Sequence, residues 1–281
     1  MDKEVKLEPT FWNHLDELRK VIFRIAIVVV VLMLAAFQAK DLLFDVLLAP
    51  SRSDFIFYRA LCCLSEKLFL PGICPGEFHV ELINTQLASQ FIIHMRMSFY
   101  VGILLAFPYI IYQLFRFVSP ALYEKERKYS GKVIIYSSLL FVFGVLLNYF
   151  VIFPFSFRFL ATYQVDASVQ NLIDLSSYID TLLMLSLLLG LMAELPIICW
   201  LFAKLGFLTD SFMKKYRRHA ILIILIVAAV ITPTGDVFTL MLVFVPVYVL
   251  YEISIWIVRR VCRKNAQALI RQEENWENPY K

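Results

Sequence analysis

The sequence predicts an all-α membrane protein in which six transmembrane helices form one bundle. Its residues are 60% hydrophobic and only 18% charged, and the mean hydropathy is +0.71. Soluble domains are nearer half apolar and a quarter charged, so both values indicate a membrane environment. Several apolar runs are also long enough to cross the ~30 Å hydrocarbon core of a bilayer as helices.

Four apolar runs have the length of a transmembrane helix: residues 21–37, 92–115, 133–153 and 182–202. A fifth run, 220–231, would reach only about 18 Å as a helix, so it crosses a thinned bilayer or dips in and returns. The sixth run covers residues 237–258, and we expect the fifth and sixth spans to be short. Between them lies a segment with the composition of a tight turn, Thr232-Pro-Thr-Gly-Asp236.

The distribution of Lys and Arg predicts that both termini are cytoplasmic. Twenty of these residues lie in segments 1–20, 116–132, 204–218 and 259–281, whereas five lie in the connections on the opposite side. Cytoplasmic loops carry the excess of positive charge. We expect a single membrane domain over residues 1–281, with a cytoplasmic interfacial helix in 1–20, six spans within 21–258 and a cytoplasmic tail over 259–281.

Enzymatic chemistry is not expected from this sequence. The four histidines are scattered, without a His-Glu-x-x-His pair that would hold a metal on one helix face. A glycine-rich phosphate loop and a Gly-x-Ser-x-Gly elbow are also absent from the sequence. The net charge of +4 does not argue for nucleic acid, because the basic residues flank apolar runs. We therefore expect no metal, no cofactor and no nucleic-acid partner.

Three of the five cysteines fall in the long first external loop: Cys62, Cys63 and Cys74. In a bacterial inner membrane this side faces an oxidising compartment. Two alternatives are open at this point: Cys74 forms a disulfide with Cys62 or Cys63, or all three are free thiols.

Charged residues inside apolar runs are the most informative, because a charge in lipid costs ~3 kcal/mol or more. Arg24, His94 and Arg96 lie near the ends of spans, where they are expected to extend towards the headgroups. Glu194 lies near mid-membrane, so it faces a water-filled cavity or is a neutral acid hydrogen-bonded inside the bundle. Asp236 closes the last external turn, where a turn-forming role and a functional role are equally open.

The cytoplasmic carboxylates include Glu17 and Glu126. Residues 10–20 have the apolar spacing of an interfacial helix, on which Asp16 and Lys20 are an expected i,i+4 pair and Glu17 is left beside Arg19. Glu126 stands in a mixed charge run that, taken alone, indicates a solvated surface.

Short motifs follow one another along the chain in a fixed order. They are His14-Leu-Asp-Glu-Leu-Arg19, Pro50, Phe107-Pro-Tyr-Ile-Ile-Tyr-Gln113, Phe117-Val-Ser-Pro-Ala-Leu-Tyr-Glu-Lys-Glu-Arg127, Glu194-Leu-Pro196, Ile231-Thr-Pro233 with Asp236, and Pro246 with Tyr251-Glu252. Each is weak alone, but the ordered set resembles the TatC family, the receptor core of the twin-arginine protein translocase. Two features differ from the family pattern: the apolar Leu240, and a long cysteine-bearing external loop.

The resemblance implies a receptor for twin-arginine signal peptides of folded cargo proteins, in the bacterial inner membrane. It implies a peptide site formed by Glu17, Glu126, Phe117, Arg19, Arg127 and Pro120. It also implies that the six-helix bundle is concave, and that Glu194, Asp236 and Pro50 have roles in translocation. The implied partners are the single-span proteins TatA and TatB and further copies of the chain, and the implied energy source is the proton-motive force.

Two other functions remain open from the residues alone. Glu194 could be the proton or ion site of a secondary transporter or channel, a function that an intramembrane carboxylate always suggests. A membrane scaffold without transport is the third possibility, and it would tolerate changes at Glu17, Glu126 and Glu194.

Overall fold

In a computed structural model the chain is almost entirely helical, and the structure describes residues 11–67, 80–118, 130–166, 171–232 and 235–277. Within these ranges the helices are α1 (Phe11–Gln38), α2 (Lys40–Leu48), α3 (Ile56–Lys67), α4 (Ser89–Val118), α5 (Ser130–Leu147), α6 (Phe153–Thr162), α7 (Leu175–Ala193), α8 (Leu195–Lys204), α9 (Asp210–Lys215), α10 (Arg217–Ile231) and α11 (Val237–Glu277). Two of the connections between helices contribute a two-residue parallel pairing, β1 (Leu82–Ile83) with β2 (Ile173–Asp174).

Five stretches of helix are long and apolar enough to cross a bilayer: Leu15–Gln38, Ser89–Phe117, Gly131–Thr162, Leu175–Lys204 and Val237–Lys264. They contain the first four spans and the sixth span predicted from the sequence. The predicted fifth span corresponds to α10, whose 15 residues rise about 22 Å and fall short of the ~30 Å apolar core. The count of six crossings therefore stays a prediction.

Two helices continue through predicted membrane boundaries. The described part of the predicted interfacial helix in residues 1–20 and the first span belong to one helix, α1, of 28 residues. The predicted short sixth span is part of α11, a helix of 41 residues that continues into the predicted tail. The membrane boundaries along both helices stay predictions. Between residues 237 and 277 the only residue of the helix-breaking types Gly and Pro is Pro246, which α11 accommodates in its interior.

The chain divides into two compact units. The first comprises Met1–Phe44 and Gln90–Ser138, and its described part contains α1 and α4. Gly102 of α4 lies against the backbone of α1, since a Cβ at Gly102 would be 2.9 Å from the nitrogen of Met33. His94 is 8% exposed and stacks on Phe37 with ring centroids 4.1 Å apart. The expectation that His94 extends to the headgroups was therefore wrong, because α1 supplies an aromatic partner.

The second unit comprises Asp45–Ser89 and Leu139–Lys281. In it the third span changes to a π-helical turn at Asn148–Ile152 between α5 and α6. The side chain of Asn148 is fully buried, and its Nδ2 donates to the hydroxyl of Ser186 (2.9 Å) and the carbonyl of Leu182 (3.3 Å). Because that carbonyl can only accept, the amide orientation is fixed by its partner. The third and fourth spans are thus joined by buried hydrogen bonds as well as by apolar packing.

Candidate functional site

The carboxylate of Glu17 is exposed on the second turn of α1. No ion pair joins it to a cation among the described side chains. The neighbouring Arg19 guanidinium lies over the ring of Phe23, 5.7 Å from its centroid, rather than on Glu17. Residues two apart on a helix point to different faces, which explains the separation. Glu17 is therefore accessible to a cation from outside the chain.

The predicted pair of Asp16 and Lys20 is not formed, although both side chains border one shallow surface depression with Arg19, Phe23 and Arg24. Three cations against the single carboxylate of Asp16 give this depression a positive surface, which would repel a basic peptide. Glu17 does not border the depression, so its exposed carboxylate lies outside this positive surface.

Helix α4 supplies one further described residue of the predicted peptide site. Phe117 is half-buried near the end of α4. Pro120, Glu126 and Arg127 lie outside the described residues, so their position relative to Glu17 stays a prediction.

Glu194 lies at a break in the fourth span, between α7 and α8. It is 5% exposed, and its backbone N–H donates to the carbonyl of Leu191 (3.1 Å). Pro196 stands in the first turn of α8, where a missing N–H is tolerated and the helix restarts. The break is the local consequence of Glu194-Leu-Pro196, and it places an acid inside the protein at mid-span.

The cavity beside this break is apolar. It has a volume of about 210 Å³, and α7, α8, α10 and α11 all line it. Met192 and Leu195, on either side of Glu194, are part of its wall, whereas Glu194 is not. Of the two sequence alternatives for Glu194, a buried acid inside the bundle agrees better with this surrounding than a residue lining a water-filled cavity.

Asp236 begins α11. Its Oδ1 accepts from the backbone N–H of Thr239 at 2.6 Å, which satisfies one of the unpaired donors at the helix start. Gly235 precedes it with φ +59°, a left-handed conformation suited to glycine. The hydroxyl of Thr239 in turn contacts that of Ser156 on α6. Asp236 thus caps the start of α11, and Thr239 joins that start to the third span.

Pro50 lies in a buried 3₁₀ turn, Ala49–Ser51, that three tyrosines surround. The hydroxyl of Tyr58 donates to the carbonyls of Pro154 (3.0 Å) and Pro50 (3.3 Å). The hydroxyls of Tyr149 and Tyr178 donate to the carbonyls just before the turn, those of Val46 (2.6 Å) and Leu47 (3.0 Å). Burial raises the pKa of Tyr58, opposed in part by the charge of Arg158, so this phenol remains a donor well above neutral pH.

Sequence reasoning singled out Pro50 but missed the tyrosines that hold it. Nothing in the spacing of Tyr58, Tyr149 and Tyr178 indicates that they meet. It also missed Asn148, for which a signal existed, because an amide inside an otherwise apolar run requires a buried partner.

The described cysteines are not equivalent. Cys62, on α3, is disulfide-bonded, whereas Cys63, Cys199 and Cys262 are free thiols. Cys74 lies outside the described residues and is the only other cysteine in the sequence. We propose that it is the partner of Cys62.

Thiol counting tests this pairing. The denatured protein should react at three thiols without reductant and at all five cysteines after reduction. Cys62→Ser should raise the unreduced count to four by releasing Cys74, whereas Cys63→Ser should lower it to two. Five reactive thiols in the unreduced protein would rule out a bridge.

Among the described residues, no group of three His, Cys, Asp or Glu side chains could hold a metal ion.

Comparison with known proteins gives consistent matches. The family model of the Sec-independent protein translocase protein TatC matches residues 13–246. The TatC protein of Blattabacterium is 36% identical over 93% of the chain and 99% of the relative. The TatCy protein of Bacillus subtilis is 34% identical over 90% of the chain and 89% of the relative. A crystal structure described as the twin-arginine translocase receptor TatC superposes with a TM-score of 0.71 at 29% identity, over 88% of the chain and 99% of that structure.

Proposed function

The chain belongs to the TatC family of Sec-independent protein translocase proteins, and from this membership we propose that it is the receptor that binds twin-arginine signal peptides of folded cargo. The chain is a multi-pass membrane protein with five candidate spans and, as a protein translocase component, it is not an enzyme. The observation that carries the proposal is the family match over residues 13–246, which contains both proposed receptor carboxylates, Glu17 and Glu126.

Two adjacent arginines in a peptide require two carboxylates. A guanidinium forms a forked, charge-assisted pair with a carboxylate that an ammonium group imitates poorly. The exposure of Glu17 and the position of Arg19 over Phe23 support this role, since the carboxylate is not already neutralised. Glu126 supplies the second carboxylate in the proposal. Selection of Arg-Arg over Lys-Lys follows from the planar geometry of both pairs.

The proposal assigns supporting roles to the remaining residues. Phe117 offers an apolar surface to the peptide, and Pro120 belongs to the same site. Arg19 and Arg127 keep the surrounding surface positive, so that only a correctly placed peptide is attracted.

Translocation itself is proposed to involve Glu194, Asp236 and Pro50. In this proposal the buried acid lets water or a polar segment into the bundle and thins the membrane locally, and the short α10 supports a thinned membrane. The proposal includes TatA and TatB as single-span partners, further copies of the chain, and the proton-motive force as energy source. It places the chain in the bacterial inner membrane with both termini in the cytoplasm.

The test is a binding titration of the detergent-purified chain with an Arg-Arg signal peptide and its Lys-Lys counterpart. We expect Glu17→Ala and Glu126→Ala each to weaken Arg-Arg binding by about tenfold or more, because a hydrogen bond to a charged group contributes roughly 1.5–3 kcal/mol. The matched control is Asp16→Ala, which removes the adjacent exposed carboxylate and should leave the affinity unchanged.

Equal binding of the two peptides would contradict the receptor proposal. An equal loss in Asp16→Ala and Glu17→Ala would also contradict it, since it would indicate general attraction of a basic peptide rather than a defined pair.

A further inference from the structure

The last helix presents one apolar face to its surroundings. Its buried side chains, among them Val243, Val247 and Val258, pack against the rest of the second unit. On the opposite side are five large side chains, each between 43% and 57% exposed and spaced three or four residues apart: Met241, Val245, Val249, Ile253 and Trp256. This spacing places them on a single face of a helix. We call this set the α11 stripe.

The stripe ends at the depth of a membrane interface. From Val237 to Trp256 the helix rises about 28 Å at 1.5 Å per residue, close to the ~30 Å of a hydrocarbon core. Tryptophan is enriched at this depth because its ring is apolar and its N–H is polar. Trp256 therefore marks where the acyl region gives way to headgroups.

Four cations follow Trp256 on the same face, at spacings of three, four, seven and eight residues: Arg259, Arg260, Arg263 and Lys264. All four are exposed, and none forms an ion pair with a carboxylate among the described side chains. Arg217, by contrast, is joined to Glu252 at 2.6 Å. Unpaired positive charge is thus concentrated on the face that carries the stripe.

Arg260 is held in a defined position. Its Cζ lies 3.4 Å from the centroid of the Trp256 ring, the distance of a stacked cation–π contact. A guanidinium stacked on a ring keeps its N–H groups directed outwards in its own plane, where they match phosphate oxygens. Trp256 therefore positions Arg260 as a phosphate ligand.

We propose that Trp256, Arg259, Arg260, Arg263 and Lys264 bind the headgroup of an anionic phospholipid of the phosphatidylglycerol type, whose acyl chains lie along the α11 stripe. An apolar track that ends in unpaired cations matches an amphiphile with a negative head. A partner helix would cover the stripe but would leave the four cations without counter-charge. The site does not depend on the proposed receptor function.

The full-length chain, purified in neutral detergent, is titrated with phosphatidylglycerol or phosphatidylcholine of identical acyl chains, and bound lipid is counted by native mass spectrometry. We expect phosphatidylglycerol to bind about tenfold more tightly, because charge-assisted hydrogen bonds to phosphate distinguish the headgroups. Arg260→Gln and Trp256→Leu should each remove most of this preference, whereas Trp256→Phe, which keeps an aromatic face, should retain most of it. The matched control is Arg52→Gln, which removes an exposed cation elsewhere on the second unit. This variant should bind each of the two lipids with the affinity of the wild type.

Three results would overturn the site. Equal binding of the two lipids would show that the negative headgroup is not recognised. An Arg260→Gln variant indistinguishable from Arg52→Gln would show that the attraction is non-specific. Competition by soluble glycerol phosphate as strong as that by the lipid would assign the cations to a free phosphate instead. If the two lipids bind equally and an added single-span helix displaces both to the same extent, the α11 stripe is a binding surface for a protein partner and not for a lipid.

Discussion

Gly144→Leu is expected to abolish recovery of the folded protein from the membrane, whereas Gly131→Leu on the same helix should not change it. A Cβ at Gly144 would lie 2.5 Å from the carbonyl oxygen of Leu189 and 2.9 Å from the Cβ of Ala193. Backbone cannot move aside as a side chain does, and one extra methylene in a packed core already costs roughly 1–3 kcal/mol. Gly131 has no atom near its Cβ position.

The measurement is the yield of monodisperse protein in detergent and its melting temperature, with Gly144→Ala as the graded intermediate. We expect the melting temperature to fall from wild type to Gly144→Ala and further to Gly144→Leu, because membrane helices approach each other closely through small residues. A Gly144→Ala variant that melts with the wild type would show that the contact between α5 and α7 relaxes at no cost, and the argument would fail.

Apolar run length predicts where the spans are with good accuracy. The second span is predicted at 92–115 and lies within α4, Ser89–Val118. The fourth is predicted at 182–202 and lies within Leu175–Lys204. This works because crossing lipid without water obliges every backbone group to bond within its own helix. The resemblance to TatC, stated from ordered motifs, is confirmed by the family match.

Helix ends are predicted poorly for a physical reason. Polarity reports where lipid gives way to water, whereas a helix ends where its hydrogen bonding or backbone geometry fails. No glycine or proline lies between Phe11 and Gln38, so α1 continues through the point where the sequence becomes apolar. The same holds for α11 beyond Val258.

The candidate site is predicted in part. Glu194 and Asp236 can be singled out from the sequence, because placing a carboxylate in or beside an apolar run costs free energy in lipid. The contact of Asn148 with Ser186, 38 residues away, is not visible, because spacing within one segment does not specify which segment it faces. The cysteine pairing also depends on the loop's path. Spacing alone left Cys62 and Cys63 as alternatives, and the structure distinguishes them.

Glu194→Leu is expected to leave the protein folded but to lower export of a twin-arginine cargo in cells by at least about tenfold. Removing one buried polar partner leaves the other unsatisfied at a cost of roughly 1–3 kcal/mol, so the melting temperature should fall only modestly and the protein should still be recovered folded. The control is Asp180→Asn, which removes a half-buried carboxylate at the outer end of the same span and should retain export. Binding of the Arg-Arg peptide should stay within about twofold of wild type, since no peptide contact is assigned to Glu194.

Variants of Glu194 also distinguish the receptor function from that of a small-solute transporter. A transporter that uses Glu194 as its proton site would show solute-coupled proton flux by the purified chain in liposomes, and Glu194→Gln would abolish that flux. The receptor alone should show none, because the cavity beside Glu194 is apolar and offers no polar ligands to an ion. Flux that disappears in Glu194→Gln would favour the transporter. Export lost in Glu194→Leu, with peptide binding intact and no flux, would instead assign this buried acid to a step after cargo recognition.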